Sequence, residues 1–201
     1  MSRLFYPYQS LGDVLLVLVD PEKKAAASKT ANDVTMIIDA EGETIGYNLF
    51  SFKRKCKVKA NGILYFPPDE VISIVKKEIE GAGFPLPSFE PDSGYFAGKV
   101  LSKEEHPLYE GTYIYALEGR GGKRLETVSS LSGLQVGSTC VYLESGRIAR
   151  DGSKFVSHLE KNIPLECLIA SKWELGDSDG AKEAYDANGL EVGTDFFLER
   201  N

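Results

Sequence analysis

The chain has 201 residues, 42% of them hydrophobic, with 23 Lys+Arg against 30 Asp+Glu and a formal net charge of −7. That is enough apolar material for one or two domains with real cores, and the acidic balance argues against a strong nonspecific polyanion binder. Cys56, Cys140 and Cys167 lie far apart with no Cys-x-x-Cys spacing, which argues against a disulfide framework or zinc site and for a reducing compartment.

The first residues form no long apolar leader, and the longest apolar run, Val14–Val19, is strand-sized. Spanning a bilayer takes roughly 20 apolar residues, so the expectation is a soluble cytoplasmic protein without membrane contact. Val14–Val19, bounded by Asp13 and Asp20, reads as a buried strand. Pro21–Asn32 is Lys/Ala-rich and reads as a short helix or loop. Val34–Ile38 and Thr44–Phe50 flank a turn with Gly42 and predict a β-hairpin. A second hairpin is predicted around Asn61-Gly62, between Cys56–Lys59 and Ile63–Phe66. Pro67-Pro68-Asp69-Glu70 opens a helix with acids suited to its dipole, and Val71, Ile74, Val75 and Ile79 give its apolar face up to Gly81.

Phe84–Pro91 is the proline-dense stretch, read as an extended linker. The expected domains are therefore 1–88, a small α+β domain, and 89–201, an all-β unit. After the linker come short β signals at Tyr95–Leu101, Thr112–Leu117, Leu125–Val128, Thr139–Leu143, Ile163–Ala170 and Thr194–Leu198, separated by glycine turns. That spacing predicts a small barrel or sandwich. Residues 1–89 hold 11 basic and 11 acidic side chains, and residues 90–201 hold 12 and 19. Within the second half Arg120–Lys161 holds seven basic against four acidic residues, which leaves a local basic face open.

No catalytic motif stands out. His106 and His158 are the only histidines, and no nucleophile context such as Gly-x-Ser-x-Gly accompanies them. No His/Cys/Asp/Glu cluster has metal-ligand spacing, so neither metal nor cofactor is expected, and His106, before Pro107, reads as structural. Gly119–Arg124 could cradle a phosphate but lacks the Walker pattern, and a glycine-rich hairpin turn is the plainer reading. Lys53-Arg54-Lys55-Cys56-Lys57-Val58-Lys59 puts five cations in seven positions. As a strand it would place four lysines on one face, either as an RNA phosphate track or as protection of a sheet edge. Trp173 is the single tryptophan, able to stack on a base or to close a core.

A family resemblance runs along nearly the whole chain. Tyr95-Phe96-Ala97-Gly98-Lys99-Val100, followed after a charged spacer by His106-Pro107, resembles the first barrel strand of the bacterial YtpR-type tRNA-binding proteins. The same domain type occurs in the phenylalanyl-tRNA synthetase β chain and appended to methionyl-tRNA synthetase. Leu134-Gln135-Val136-Gly137 and the stretch from Lys161 to Gly176 are similar to later parts of that family's barrel. Phe5-Tyr6, Gly12–Leu16 and Gly46–Phe50 resemble the domain that precedes it.

The resemblance implies an OB-fold-like barrel that binds tRNA or another structured RNA without catalysis. Arg147, Arg150, Lys154, Lys161 and Lys172 would meet phosphate, and Ser129, Ser130 and Ser171 would add polar contacts. It also leaves open a degenerate barrel kept for protein–protein interaction or a homodimer. The chain departs from the family's pattern in three places. Leu108–Tyr113 replaces Asn-Ala-Asp-Lys-Leu, Ser129–Gly133 replaces Cys-Gly-Ala-x-Asn, and Leu165-Glu166-Cys167-Leu168 replaces Ser-x-Gly-Met. Leucine offers no hydrogen bond and Glu166 would repel a phosphate, while apolar replacements leave packing intact.

Overall fold

The computed structural model describes residues 3–198 apart from 59, 60, 65, 66, 90, 91 and 178. The chain is mostly β and divides into two compact units, residues 1–91 and 92–201.

The first unit contains β1 (Arg3–Tyr6), α1 (Tyr8–Leu11), β2 (Val14–Leu18), β3 (Ala27–Ala31), β4 (Val34–Ile38), β5 (Thr44–Phe50), β6 (Gly62–Leu64) and α2 (Asp69–Gly81). Its strands form one antiparallel sheet in the order β3-β4-β5-β2-β1-β6. Alternate residues Leu15, Val17, Tyr47 and Leu49 face one side, where Val71, Val75 and Ile79 of α2 complete the core. The four-residue spacing puts these three side chains on one stripe of the helix, and burying each contributes about 1.5–3 kcal/mol. The hairpin expected around Gly42 is present as β4 and β5.

Three expectations are corrected in this unit. Pro21–Asn32, expected as a short helix or loop, is loop only as far as residue 26: Ala27–Ala31 pairs with β4 as a solvent-exposed edge strand, tied across by the Thr30 and Thr35 hydroxyls at 2.9 Å. Its small and polar residues suit an edge. Asn61-Gly62 does not turn a local hairpin. Gly62–Leu64 pairs instead with β1, where Leu64 joins the core and satisfies an otherwise open strand edge. The part of that predicted hairpin at 59, 60, 65 and 66 lies outside the described residues. Finally, Lys53–Lys59 does not begin as a strand, because Phe52–Arg54 is a 3-10 turn. Residues 84–89 belong to the first unit, with Phe84 and Phe89 packed on its core and the Tyr47 hydroxyl donating to Pro85 O.

The second unit contains β7 (Tyr95–Glu105), β8 (Tyr113–Glu118), β9 (Arg124–Ser129), β10 (Thr139–Glu144), β11 (His158–Glu160), β12 (Ile163–Leu165) and β13 (Cys167–Ile169). Five strands run in the order β13-β10-β7-β8-β9 and make a nearly closed barrel, compatible with an OB-like fold. The strand β7 is long enough to pair with both β10 and β8, and an irregularity between Val100 and Ser102 bends it from one partner to the other. The two ends of the sheet meet where Glu166 N donates to Glu126 O at 2.8 Å and Thr127 Oγ1 donates to Cys167 O at 2.6 Å. Phe96, Val100, Tyr115, Leu117, Leu125, Cys140, Tyr142 and Ile169 fill the interior.

The predicted strand Ile163–Ala170 is two strands. Glu166 interrupts it, and its Oε2 accepts from Glu126 N at 2.8 Å. Glu166 therefore fastens the barrel seam. Thr194–Leu198 is not a strand either. Asp195 is buried and accepts from Ser93 N and Ser93 Oγ, both at 2.7 Å, and from Phe197 N at 3.0 Å. The acidic C-terminal segment thus folds back along the barrel, with bridges Ser132 to Glu183, Ser171 to Ala184, Cys140 to Asp186 and Phe96 to Asp195.

Candidate functional site

The connection between β10 and β13 carries most of the basic residues singled out in the sequence. It begins with a turn, makes an Ile148–Lys154 bridge around Asp151-Gly152, and then projects β11 and β12 as a hairpin. The hairpin turn is Lys161-Asn162, both left-handed, with φ of 50° and 69°. Two positive φ values match the turn that suits strand twist, and asparagine tolerates them well. Lys161 is exposed there and has no ion-pair partner among the described residues. Asn162, Ile163 and Pro164 lie over the outer face of β8 and β9, where they bound a groove of about 240 Å³ with Ile114, Arg124 and Glu126.

Arg150 is fixed at both ends. Its backbone N donates to Glu174 Oε1 at 2.8 Å, and the same oxygen accepts from the Tyr95 hydroxyl at 2.5 Å. Its guanidinium donates to Trp173 O and lies 4.7 Å from the centroid of the Trp173 ring, which is 37% exposed. A cation is thereby stacked on a π-face at the surface. Sequence reasoning named these two residues separately but not as a pair, since 23 positions separate them. Lys154 is half-buried on the same connection.

Arg147 is a correction. Its side chain is 6% exposed, and its Nη2 lies 2.7 Å from Asp92 Oδ1 and 3.8 Å from Glu144 Oε2. A guanidinium engaged in this way holds the fold together and does not reach a phosphate. Lys172 is paired with Glu183 on the returning segment, which pushes its ammonium above the usual lysine range. Ser171 Oγ accepts from Glu174 N at 3.1 Å and Ser129 Oγ from Leu131 N at 3.1 Å, so both shape turns, while Ser130 is exposed. The eight residues therefore do not converge: Arg150 and Lys161 present cations to solvent, whereas Arg147 and Lys172 are neutralised within the unit.

The glycine-rich turn at 119–123 is no anion cradle. Arg120 reaches Asp92 at 3.1 Å and Glu144 at 3.3 Å and lies 4.3 Å from the Phe96 ring centroid. His106 is buried, and its Nδ1 accepts from Leu108 N at 3.1 Å and Tyr109 N at 3.2 Å, while Tyr109 stacks on the ring. It caps a turn in the way an Asx side chain does. Burial pushes the Cys140 thiol up to about 12 and raises Cys167 as well, so both are held protonated at neutral pH. Among the described residues no group of three or more His, Cys, Asp or Glu is placed to hold a metal ion. No helix among them is long and apolar enough to cross a membrane.

No protein-family model matches the chain, and no curated protein matches it significantly.

Proposed function

We propose that the second unit is an OB-like barrel that binds tRNA or another structured RNA without catalysing a reaction, as the resemblance to YtpR-type proteins implies. The observation that carries this reading is the Arg150–Trp173 pair: an exposed indole face with a cation laid on it, mounted on the long connection of a small barrel. Aromatic faces take unstacked bases and arginine contributes to both stacking and phosphate contact. Lys161 adds an exposed cation at the hairpin tip beside the outer face of β8 and β9, the face that OB-type barrels use for oligonucleotides. The contact set is thus reduced to Arg150, Trp173 and Lys161. A cytoplasmic setting suits the unbridged thiols.

Because Trp173 is the only tryptophan, its fluorescence reports stacking directly. Titrating bulk tRNA into the protein at low salt is expected to quench it, with affinity falling steeply as salt rises because counterions are released. Arg150→Ala with Lys161→Ala is expected to weaken binding on the order of tenfold or more. Absence of binding at low salt overturns the reading.

A second reading, protein–protein interaction or a homodimer, is favoured by Val156 and Leu159, which are 47% and 67% exposed beside and on β11. Sedimentation velocity separates the two: salt-insensitive self-association lost in Leu159→Ser supports pairing through the hairpin.

A further inference from the structure

We infer that the first unit carries an RNA contact surface of its own, formed by Tyr8, Lys53 and Arg54, which takes a stacked base and its neighbouring phosphates. This rests on the reading of the protein as RNA-binding and extends it to residues outside the barrel.

The surface follows from how the chain leaves β5. Ser51 takes a left-handed conformation with φ of 55°, turning the chain away from the sheet. Phe52 then plugs the core at 0% exposure. With Phe52 directed inward, Lys53 and Arg54 of the 3-10 turn stand in solvent. Lys55 returns to the protein, where it pairs with Asp33 at 3.1 Å and Glu78 at 2.6 Å. Lys55 of the cation run is thus structural, while Lys53 and Arg54 form an exposed pair that no carboxylate neutralises among the described residues, and Lys57 is exposed beyond them.

The turn is held firmly. Asp13 Oδ1 accepts from Lys53 N and from the Tyr6 hydroxyl, each at 2.8 Å. The Tyr6 ring in turn supports Tyr8, with centroids 5.8 Å apart. Tyr8 is 44% exposed, and Lys53 Nζ lies 5.0 Å from its centroid. Phe50, three residues before Lys53, is 43% exposed as well. An aromatic face accompanied by a cation, with a second cation adjoining, is the minimal surface for a base and its phosphates. Protection of a sheet edge does not account for these cations. The edges of this sheet are β3 and β6, and Lys53 and Arg54 follow β5, an interior strand.

The test uses the full chain, with labelled bulk tRNA and a labelled single-stranded oligoadenylate, measured by anisotropy over a series of salt concentrations. Lys53→Ala with Arg54→Ala is expected to weaken binding about tenfold and make the salt slope shallower by about 1.4–1.8, the lower figure for the single strand. Tyr8→Leu, which keeps apolar bulk against Tyr6, is expected to weaken oligoadenylate binding on the order of tenfold, with thermal unfolding unchanged in both variants. If wild-type protein binds RNA and Arg150→Ala weakens it while the Tyr8, Lys53 and Arg54 variants do not, this surface is refuted and the barrel reading stands. If wild-type protein binds no RNA, both fail. Binding to phosphatidylglycerol vesicles that is lost in the same variants, with RNA affinity unaffected, also overturns the inference.

Discussion

The Tyr142 ring occupies the space that a side chain on Gly98 would need: a Cβ there would stand 2.8 Å from Tyr142 Cδ1. The two are diagonal neighbours across the β7–β10 pairing, in which Gly98 faces Cys140. Gly119 leaves room from the other side, since its Cβ would fall 2.7 Å from the Tyr142 hydroxyl, and that hydroxyl accepts from Arg120 N at 2.9 Å. The glycine of the opening strand motif is thus explained by the barrel interior. Gly98→Ala is expected to destabilise the protein by about 1–3 kcal/mol through overpacking, read from urea melts, and Tyr142→Leu in the same chain should recover part of the loss through coupling.

Arg147 and Asp92 form the least exposed ion pair of the second unit among those described, at 2.7 Å with side chains 6% and 17% exposed. The stem of Arg147 also passes over Gly94, whose Cβ would lie 2.6 Å from Arg147 Cγ. Arg147→Ala leaves Asp92 without this partner and is expected to cost about 3 kcal/mol of stability. RNA affinity, measured well below the melting temperature, is expected to stay unchanged. A loss of affinity without a loss of stability would return Arg147 to the binding surface.

His106 accepts two backbone amides through Nδ1, so its ring proton is on Nε2. Nitrogen-15 shifts of the imidazole are expected to report that tautomer. His106→Ala removes both bonds and is expected to cost about 1–2 kcal/mol. His106→Asn should retain most of that stability, because an asparagine oxygen can accept from the amide two residues on.

These residues also mark what could be read from the chain alone. The α2 helix was legible because Val71, Val75 and Ile79 repeat at helical spacing after Pro68 and two acids, and the β4–β5 hairpin because two apolar runs bracket Gly42. The strands β7 to β10 were legible from their spacing between glycine turns, whereas the break at Glu166 and the non-strand course of 194–198 were not. Roles fixed by distant partners were not. Arg147 looks like any surface cation until Asp92 is folded against it, and Glu166 looks like a lost RNA contact until Glu126 lies beside it. The cation run after β5 resembles a strand by alternation, and only the need of Phe52 to fill the core breaks it into a turn. The pairing of Arg150 with Trp173 is of the same kind: both residues were visible, and their contact depends on the barrel closing.

Burial pushes Tyr115 and Tyr142 in the barrel up to about 12, and burial with the Asp13 carboxylate does the same for Tyr6 in the first unit. An unfolded tyrosine releases its proton near pH 10. Below that value these groups are protonated in both states and their contribution to stability is fully present. Between about pH 10 and 12 the unfolded chain loses protons that the folded chain keeps, so stability falls as pH rises. Alkaline unfolding followed by far-ultraviolet dichroism is expected to coincide with late phenolate absorbance from part of the ten tyrosines. Their full ionisation at pH 10 with the fold intact would contradict this.

Lys172 and Glu183 couple the acidic return segment to the proposed RNA surface. The pair is exposed at 38% and 55%, so it contributes little to stability, but it removes one cation next to Trp173. Glu183→Gln keeps the size of the side chain and the backbone bonds that Glu183 makes with Lys172 and Gly180, while leaving the ammonium without its counter-charge. Under the RNA-binding reading this variant is expected to bind tRNA a few-fold more tightly, with a salt slope steeper by about 0.7–0.9 for one added phosphate contact. Lys172→Ala in the wild-type background should change affinity little, because that charge is already neutralised. An unchanged affinity in Glu183→Gln, alongside measurable wild-type binding, would place the RNA away from Lys172 and confine the contact to Arg150, Trp173 and the Lys161 hairpin.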